Sequence, residues 1–140
     1  MLVFSEALTI AHGWHLGYTG QPLIPEEIEA WNYGPVIESL YRDLKGFGSG
    51  EITQPLFELE FLDHNFSAVT PNVQEPYLRT FLRNVVGVYG PLTAIQLSNM
   101  TNMPGTPWQL LKEAFPDQRG LTIPNELIRE HFAAQLPKPA

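Results

Sequence analysis

Two histidines provide the nearest approach to a metal-binding motif in the sequence. His12 and His15 lie in the stretch HGWH, and a spacing of three residues lets both imidazoles share one face of a helix. Zinc needs a third ligand and usually a fourth, which His64, His131 or a carboxylate would have to supply from elsewhere. Because the spacing does not demand this, we interpret the pair as one buried and one exposed histidine. We expect no metal site and no cofactor.

Other catalytic patterns are weak or missing. The sequence contains no HExxH or GxSxG motif, and the glycine-rich stretch GFGSG at 46–50 lacks the lysine of a phosphate loop, so it is typical of a linker. Glu26 and Glu27 follow Pro25, where acidic residues favour the first turn of a helix. These observations indicate a protein that is not an enzyme. A metal-dependent hydrolase that uses His12, His15 and a carboxylate stays open as an alternative.

Composition narrows the class of partner. The 140 residues are 44% hydrophobic and 16% charged, which predicts one globular domain over residues 1–136 and a tail at 137–140. The net charge of −7 repels phosphate backbones, so we expect no nucleic-acid partner and a basic protein partner instead. The absence of cysteine fits a reducing compartment. Because the N-terminus has neither a positive leader nor a membrane span, we expect a cytoplasmic protein without a membrane partner.

The hydrophobic pattern predicts a mainly α fold. Apolar residues recur at the helical period in six segments: 2–18, 35–45, 77–88, 94–101, 107–115 and 124–132. Short extended segments are predicted at 28–31, within 57–61 and at 121–123, and a loop is predicted at 64–70. We therefore expect a compact single-domain bundle of about six short helices with a small two- or three-stranded β-sheet.

Three helix starts carry recognisable capping residues. Thr93 and Gln96 have the spacing of a capping box, and Thr106 precedes a helix whose first residue is Pro107. In the stretch EAWNYGPV at 29–36, Pro35 is suited to the first position of a helix and Gly34 to the preceding cap. These patterns predict helices that begin at residues 35, 94 and 107.

The aromatic residues allow two interpretations. We expect Trp14 and Trp108 to pack in the core. Trp31 and Tyr33 stand beside a glycine and a proline, where aromatic side chains either hold an elbow together or form a protein–protein contact. We name Trp31, Tyr33 and Tyr41 as candidate partner-binding residues.

Two blocks of the sequence carry a family resemblance. The segment AHGWHLGYTGQPLIPEEIEAWNYGPVIESLYRDLKGFGSGEI, followed by LSNMTNMPGTPW and IPNELIREHF, resembles the Panacea domain of SocA-like antitoxins and GepA-like phage-associated proteins. Asn102 departs from the pattern, because family members usually have histidine there. The residues that match the motif and to which we assign structural roles are Gly13, Trp14, His15, Gly34, Pro35, Thr106, Pro107 and Trp108.

The resemblance implies an antitoxin encoded beside a toxin, often in a prophage, that neutralises the toxin by direct binding. It also implies that the protein can act as a proteolytic adaptor that delivers the toxin to a Clp-type protease. An alternative is a phage accessory protein that binds a host defence factor.

Overall fold

The computed structural model describes residues 2–32, 34–44, 58–62, 65–69 and 75–137. Tyr33 and the GFGSG stretch lie outside these ranges. The described residues form six helices, which are α1 (Leu2–Thr19), α2 (Glu38–Leu44), α3 (Pro76–Tyr89), α4 (Ala94–Asn102), α5 (Pro107–Ala114) and α6 (Asn125–Ala133). They also form five strands, which are β1 (Ile28–Trp31), β2 (Gly34–Val36), β3 (Glu58–Leu62), β4 (Asn65–Val69) and β5 (Leu121–Ile123). The predicted mainly α fold with a small sheet is confirmed.

Helix ends follow the local capping rules. The Thr93 hydroxyl accepts from the Gln96 backbone N–H at 3.1 Å, and the Gln96 side-chain oxygen accepts from the Thr93 N–H at 2.9 Å. This reciprocal pair satisfies two backbone donors that the first turn of α4 leaves free. Thr106 caps α5, with Pro107 as its first residue. The starts predicted at residues 94 and 107 are therefore confirmed.

A three-stranded antiparallel sheet lies beside the helices in the order β2-β1-β5. The β1–β2 register pairs Trp31 with Gly34 and Ala30 with Pro35, and β5 pairs with the other edge of β1. Side chains on β1 alternate between buried and half-buried, with Ile28 and Ala30 on the buried face. The predicted strands at 28–31 and 121–123 are confirmed.

The predicted helix start at Pro35 is wrong. Gly34 and Pro35 belong to β2, and α2 begins only at Glu38. Gly34 has a φ of 139°, which glycine adopts readily and other residues rarely do. Pro35 can occupy β2 because this strand lies at the edge of the sheet, where the missing N–H is tolerated.

A second, separate hairpin pairs β3 with β4 in antiparallel register, from Glu58 opposite Val69 to Leu62 opposite Asn65. The extended segment predicted within 57–61 is confirmed for residues 58–61. The loop predicted at 64–70 is wrong for residues 65–69, because these residues pair with β3. The alternation of polar and apolar residues in this segment covers only a few positions, and Asn65 and Ser67 favour turns. The segment alone therefore does not indicate a strand.

The core joins the first and last described helices. Leu16 of α1 packs with Ile28, Ala30, Ile37, Ile123 and Ile128, and each of these side chains is at most 3% exposed. Two glycines of α1 let α6 approach closely: a Cβ on Gly17 would lie 3.2 Å from the backbone of Ala133, and a Cβ on Gly13 would clash with the ring of Phe132. The need for this approach explains the glycine of the GWH motif.

Candidate partner-binding surfaces

The two motif histidines are both structural and both buried. The His12 Nδ1 accepts from the Leu23 N–H at 3.2 Å, and its Nε2 lies 2.9 Å from Oδ1 of Asn125, to which it must donate. The Nδ1 of His15 donates to the Gln21 carbonyl at 2.7 Å. The expectation that one of the pair is exposed is wrong, since they are 0% and 8% exposed. The two rings connect α1 to the segment before β1 and to the start of α6.

The burial of His12 also affects its charge. Desolvation lowers the pKa of His12 and outweighs the hydrogen bond to Asn125, which raises it. A neutral ring fits the observed partners, because one nitrogen accepts and the other donates. No group of three or more potential metal-ligating side chains comes together among the residues that the structure describes. The buried His12 ring therefore joins α1 to Leu23 and to Asn125 at the start of α6.

Trp31 lies at the junction of several elements. Its ring packs edge-to-face against Tyr41, with 5.0 Å between centroids, and its Nε1 donates to Glu29 Oε1 at 3.2 Å. Its backbone carbonyl accepts from the Trp108 Nε1 at 2.6 Å. Trp31 and Tyr41 are both half-buried, so the structure brings these two candidate partner-binding residues together. Tyr33, the third candidate, lies outside the described residues.

A cavity of about 500 Å³ adjoins Trp31, and we call it the Trp31 pocket. Its walls include Trp31, Glu29, Glu38 and Arg119. Glu38 forms an exposed ion pair with Arg42 at 3.8 Å, which contributes little to stability. The pocket therefore presents an aromatic ring beside two carboxylates and one guanidinium.

A second and larger cavity has Trp108 in its wall. It has a volume of about 590 Å³ and runs between the α4–α5 turn and α6, with α1 as its floor; we call it the α4–α6 groove. Its walls include Trp14, Met100, Met103, Trp108, Leu110 and Phe132. Trp14 and Trp108 were predicted to pack in the core. Trp108 packs against the core cluster, but both tryptophans are half-buried and not fully enclosed. Each indole N–H has an acceptor within the protein.

His131 closes one wall of the groove. Its Nε2 accepts from Gln135 Nε2 at 3.0 Å, and the ring also bonds the backbone of Gly105 in the α4–α5 turn. Desolvation lowers the pKa of His131 and outweighs the hydrogen bond to Gly105, which raises it. Since a neutral ring satisfies both contacts, His131 holds the turn against α6 without adding charge to the groove.

A buried acid that sequence reasoning missed lies at the other end of α1. Glu6 is 2% exposed and bonds Ser98 of α4, and burial raises its pKa more than the bond to Ser98 lowers it. Asn102 donates to Ser98 Oγ at 3.4 Å, and a Cβ on Gly34 would approach both Asn102 and Glu6. The available signal was the position of Glu6 four residues before Ile10, on the apolar face of α1.

The remaining motif residues belong to two elements that meet at the α4–α6 groove, whose walls include Trp14, Thr106, Pro107 and Trp108. Gly13 and Trp14 lie at the contact between α1 and α6, while Thr106, Pro107 and Trp108 form the start of α5 above the sheet. The methionines of the groove were not singled out from the sequence, because a methionine in a short helix has no distinctive spacing. No helix in the described part of the chain is long and apolar enough to cross a membrane.

Comparison with known proteins identifies the family of this chain. A family model described as "Antitoxin SocA-like, Panacea domain" matches residues 8–109, which extend from α1 into α5. The chain is also similar to Antitoxin SocA of Caulobacter vibrioides (strain NA1000 / CB15N), with 27% identity over 137 residues, which are 96% of this chain and 72% of that relative. No solved structure matches the chain significantly.

Proposed function

Because the chain belongs to the SocA-like antitoxin family defined by the Panacea domain, we propose that it is an antitoxin that neutralises a cognate toxin by direct binding. The observation that carries this proposal is the family match over residues 8–109, which includes both the EAWNYGPV stretch and the turn before α5. The toxin is a protein encoded nearby. Neutralisation by binding requires a folded scaffold with apolar surface and does not require catalysis.

The chemistry of the described residues supports binding without catalysis. The two ring nitrogens of His12 are engaged inside the fold, and His15 is anchored by Gln21. Glu6 is enclosed by α1, α4 and β2, so its carboxyl group has little access to a substrate. General acid–base catalysis needs a titratable group within hydrogen-bonding reach of a bound substrate, and these three groups do not offer it.

We place one toxin contact at Trp31 and Tyr41. Half-buried aromatic pairs supply a large contact area at low conformational cost, and Glu29 and Glu38 beside them favour a basic partner. The motif residues Gly34, Pro35 and Trp108 hold this surface in place through the β1–β2 pairing and the bond from Trp108 to the Trp31 carbonyl.

The test is co-expression with the product of the neighbouring reading frame. The wild-type chain should restore growth, and Trp31→Ala should reduce rescue while the protein stays folded, because the backbone carbonyl that accepts from Trp108 remains. Tyr77→Ala is the matched control, since Tyr77 is a 52% exposed aromatic residue away from the Trp31 pocket. A neighbouring product that is not toxic, or toxicity that persists with soluble wild-type protein, would refute the antitoxin assignment.

Delivery of the toxin to a Clp-type protease is a finer form of the same function, and the family membership is its support. It predicts that the half-life of the toxin shortens when this protein and an active Clp protease are both present. A pulse-chase measurement in strains with and without the protease tests it. Equal toxin half-lives in the two strains would leave neutralisation by occlusion as the mechanism.

A further inference from the structure

The α4–α6 groove exposes more apolar surface than its position in the fold explains. Met100, Met103 and Leu110 are 39%, 57% and 43% exposed, and all three line the groove. Large apolar side chains scattered singly on a surface are ordinary, whereas several around one concave site mark a place where another molecule binds. The groove volume of about 590 Å³ lies within the range of specific binding sites.

The wall chemistry points to a peptide-like occupant. Met100 lies in the last turn of α4 and Met103, three positions further on, is its C-cap residue. Methionine side chains adapt their shape to an apolar partner. Trp14, Trp108 and Phe132 add rigid aromatic surface, and the two indole N–H groups are already bonded within the fold. Such a groove between helices suits the apolar face of an amphipathic helix.

The charge of the groove is also defined. Glu130 is the acidic side chain in its walls, and no lysine or arginine lines it among the residues that the structure describes. Burial lowers the pKa of His131 and outweighs the hydrogen bond to Gly105, which favours the neutral ring. Together with the net charge of −7, this acidic rim favours an occupant that carries a positive charge next to its apolar face.

We propose that the α4–α6 groove receives an amphipathic helix of the toxin, with apolar anchors against Met103 and Leu110 and a lysine or arginine beside Glu130. The inference rests on the proposed antitoxin function and specifies its contact surface. The groove and the Trp31 pocket are linked through Trp108, which lines the groove and donates to the backbone carbonyl of Trp31, a residue of the pocket wall.

The first experiment introduces charge into the apolar wall. Met103→Asp and Leu110→Asp should each weaken binding of the purified product of the neighbouring reading frame by roughly 10-fold or more in isothermal titration calorimetry. The matched control is Ile95→Asp, because Ile95 is a 73% exposed apolar residue on α4 that does not line the groove, and it should change the affinity less than about 2-fold. Since all three side chains are exposed, thermal unfolding should show that the variants remain folded.

The second experiment reverses the charge. Glu130→Lys should weaken binding at low salt by roughly 10-fold, Glu130→Gln should have a smaller effect, and both differences should shrink as salt screens the contact. Asp117→Lys is the control, because it makes the same change of net charge at an exposed position outside the groove. Equal losses for Glu130→Lys and Asp117→Lys would show that total charge, not the rim of the groove, governs binding.

The outcomes separate the two proposals. If wild-type protein neither binds nor neutralises the neighbouring product, the antitoxin assignment fails. If wild type binds and the groove variants bind equally well, the groove inference is overturned and the antitoxin assignment stands. If the protein alone is a dimer that Met103→Asp converts to a monomer, a second copy covers the groove, and the inference is likewise overturned.

Discussion

Replacement of Gly13 by alanine adds one methyl group at the contact between α1 and α6. An ideal Cβ at this position would lie 2.6 Å from Cζ of Phe132 and nearer to Cδ2 and Cε2 of the same ring. Carbon atoms that are not bonded pack at about 3.5–4.0 Å, so the ring must move by about 1 Å or more. The ring has little space to move, because it packs edge-to-face against Trp14 and against His131, with centroids 5.0 Å apart in each case.

The expected change in the free energy of unfolding has two parts. Overpacking a core contact costs about 1–3 kcal/mol, and the enclosed ring places this site in the upper half of that range. Alanine returns about 0.8–1 kcal/mol through its higher helix propensity. Gly13→Ala should therefore destabilise the protein by about 1–2 kcal/mol net, which lowers Tm by about 2–8 °C for a domain of this size.

A control and a second-site variant make the test specific. Gly87 lies in α3 with no atom within 4 Å of its added Cβ, so Gly87→Ala should stabilise the protein by up to about 1 kcal/mol. Phe132→Val removes all three ring atoms that the new Cβ meets, and in that background Gly13→Ala should become neutral or stabilising. Urea unfolding followed by circular dichroism measures each value. A Gly13→Ala protein as stable as wild type would refute the proposed close contact between the helices.

Three further substitutions test other contacts. Because burial raises the pKa of Glu6, its charged form opposes folding at high pH. Glu6→Gln should therefore be more stable than wild type at pH 7–8, and this difference should vanish as the pH falls towards 4.5. A stability difference in urea unfolding that does not depend on pH would contradict this. Trp108→Phe removes the donor to the Trp31 carbonyl and should cost about 1–3 kcal/mol in the same assay, so an unchanged unfolding midpoint would argue against that bond. Gly34→Ala forces a φ of 139° on a residue with a Cβ and should lower stability by about 1–3 kcal/mol, whereas an unchanged Tm would indicate that β2 relaxes.

Local signals predicted the helices well because the evidence for a helix lies within its own sequence. The Thr93–Gln96 pair marks a boundary that the structure reproduces with both hydrogen bonds. The same local reasoning failed at Pro35, because a proline after a glycine suits a helix start as well as an edge strand. Pairing with β1 decided between them, and strand pairing depends on a partner outside the segment.

The candidate surfaces could be predicted only in part. Trp31 and Tyr41 were identified by residue type as partner-binding candidates, which stays a prediction, and their ring contact was not foreseen from the sequence. The groove could not be predicted, because its walls come from α1, the α4–α5 turn and α6, which are far apart in the sequence. The burial of Glu6 was equally hidden, since β2 and α4 enclose it from separate parts of the chain.

The packing of α1 against α6 has a consequence for the timing of synthesis. Gly13 and Phe132 are more than a hundred positions apart in the chain, so the ribosome adds α6 only several seconds after α1 at rates of about 5–20 residues per second. Until then α1 lacks its main neighbour, β1 lacks the strand on one edge, and the groove has no second wall. A nascent chain that ends before α6 therefore lacks one wall of the α4–α6 groove. If the α4–α6 groove binds the toxin as proposed, each molecule gains this binding site only after the ribosome has added α6.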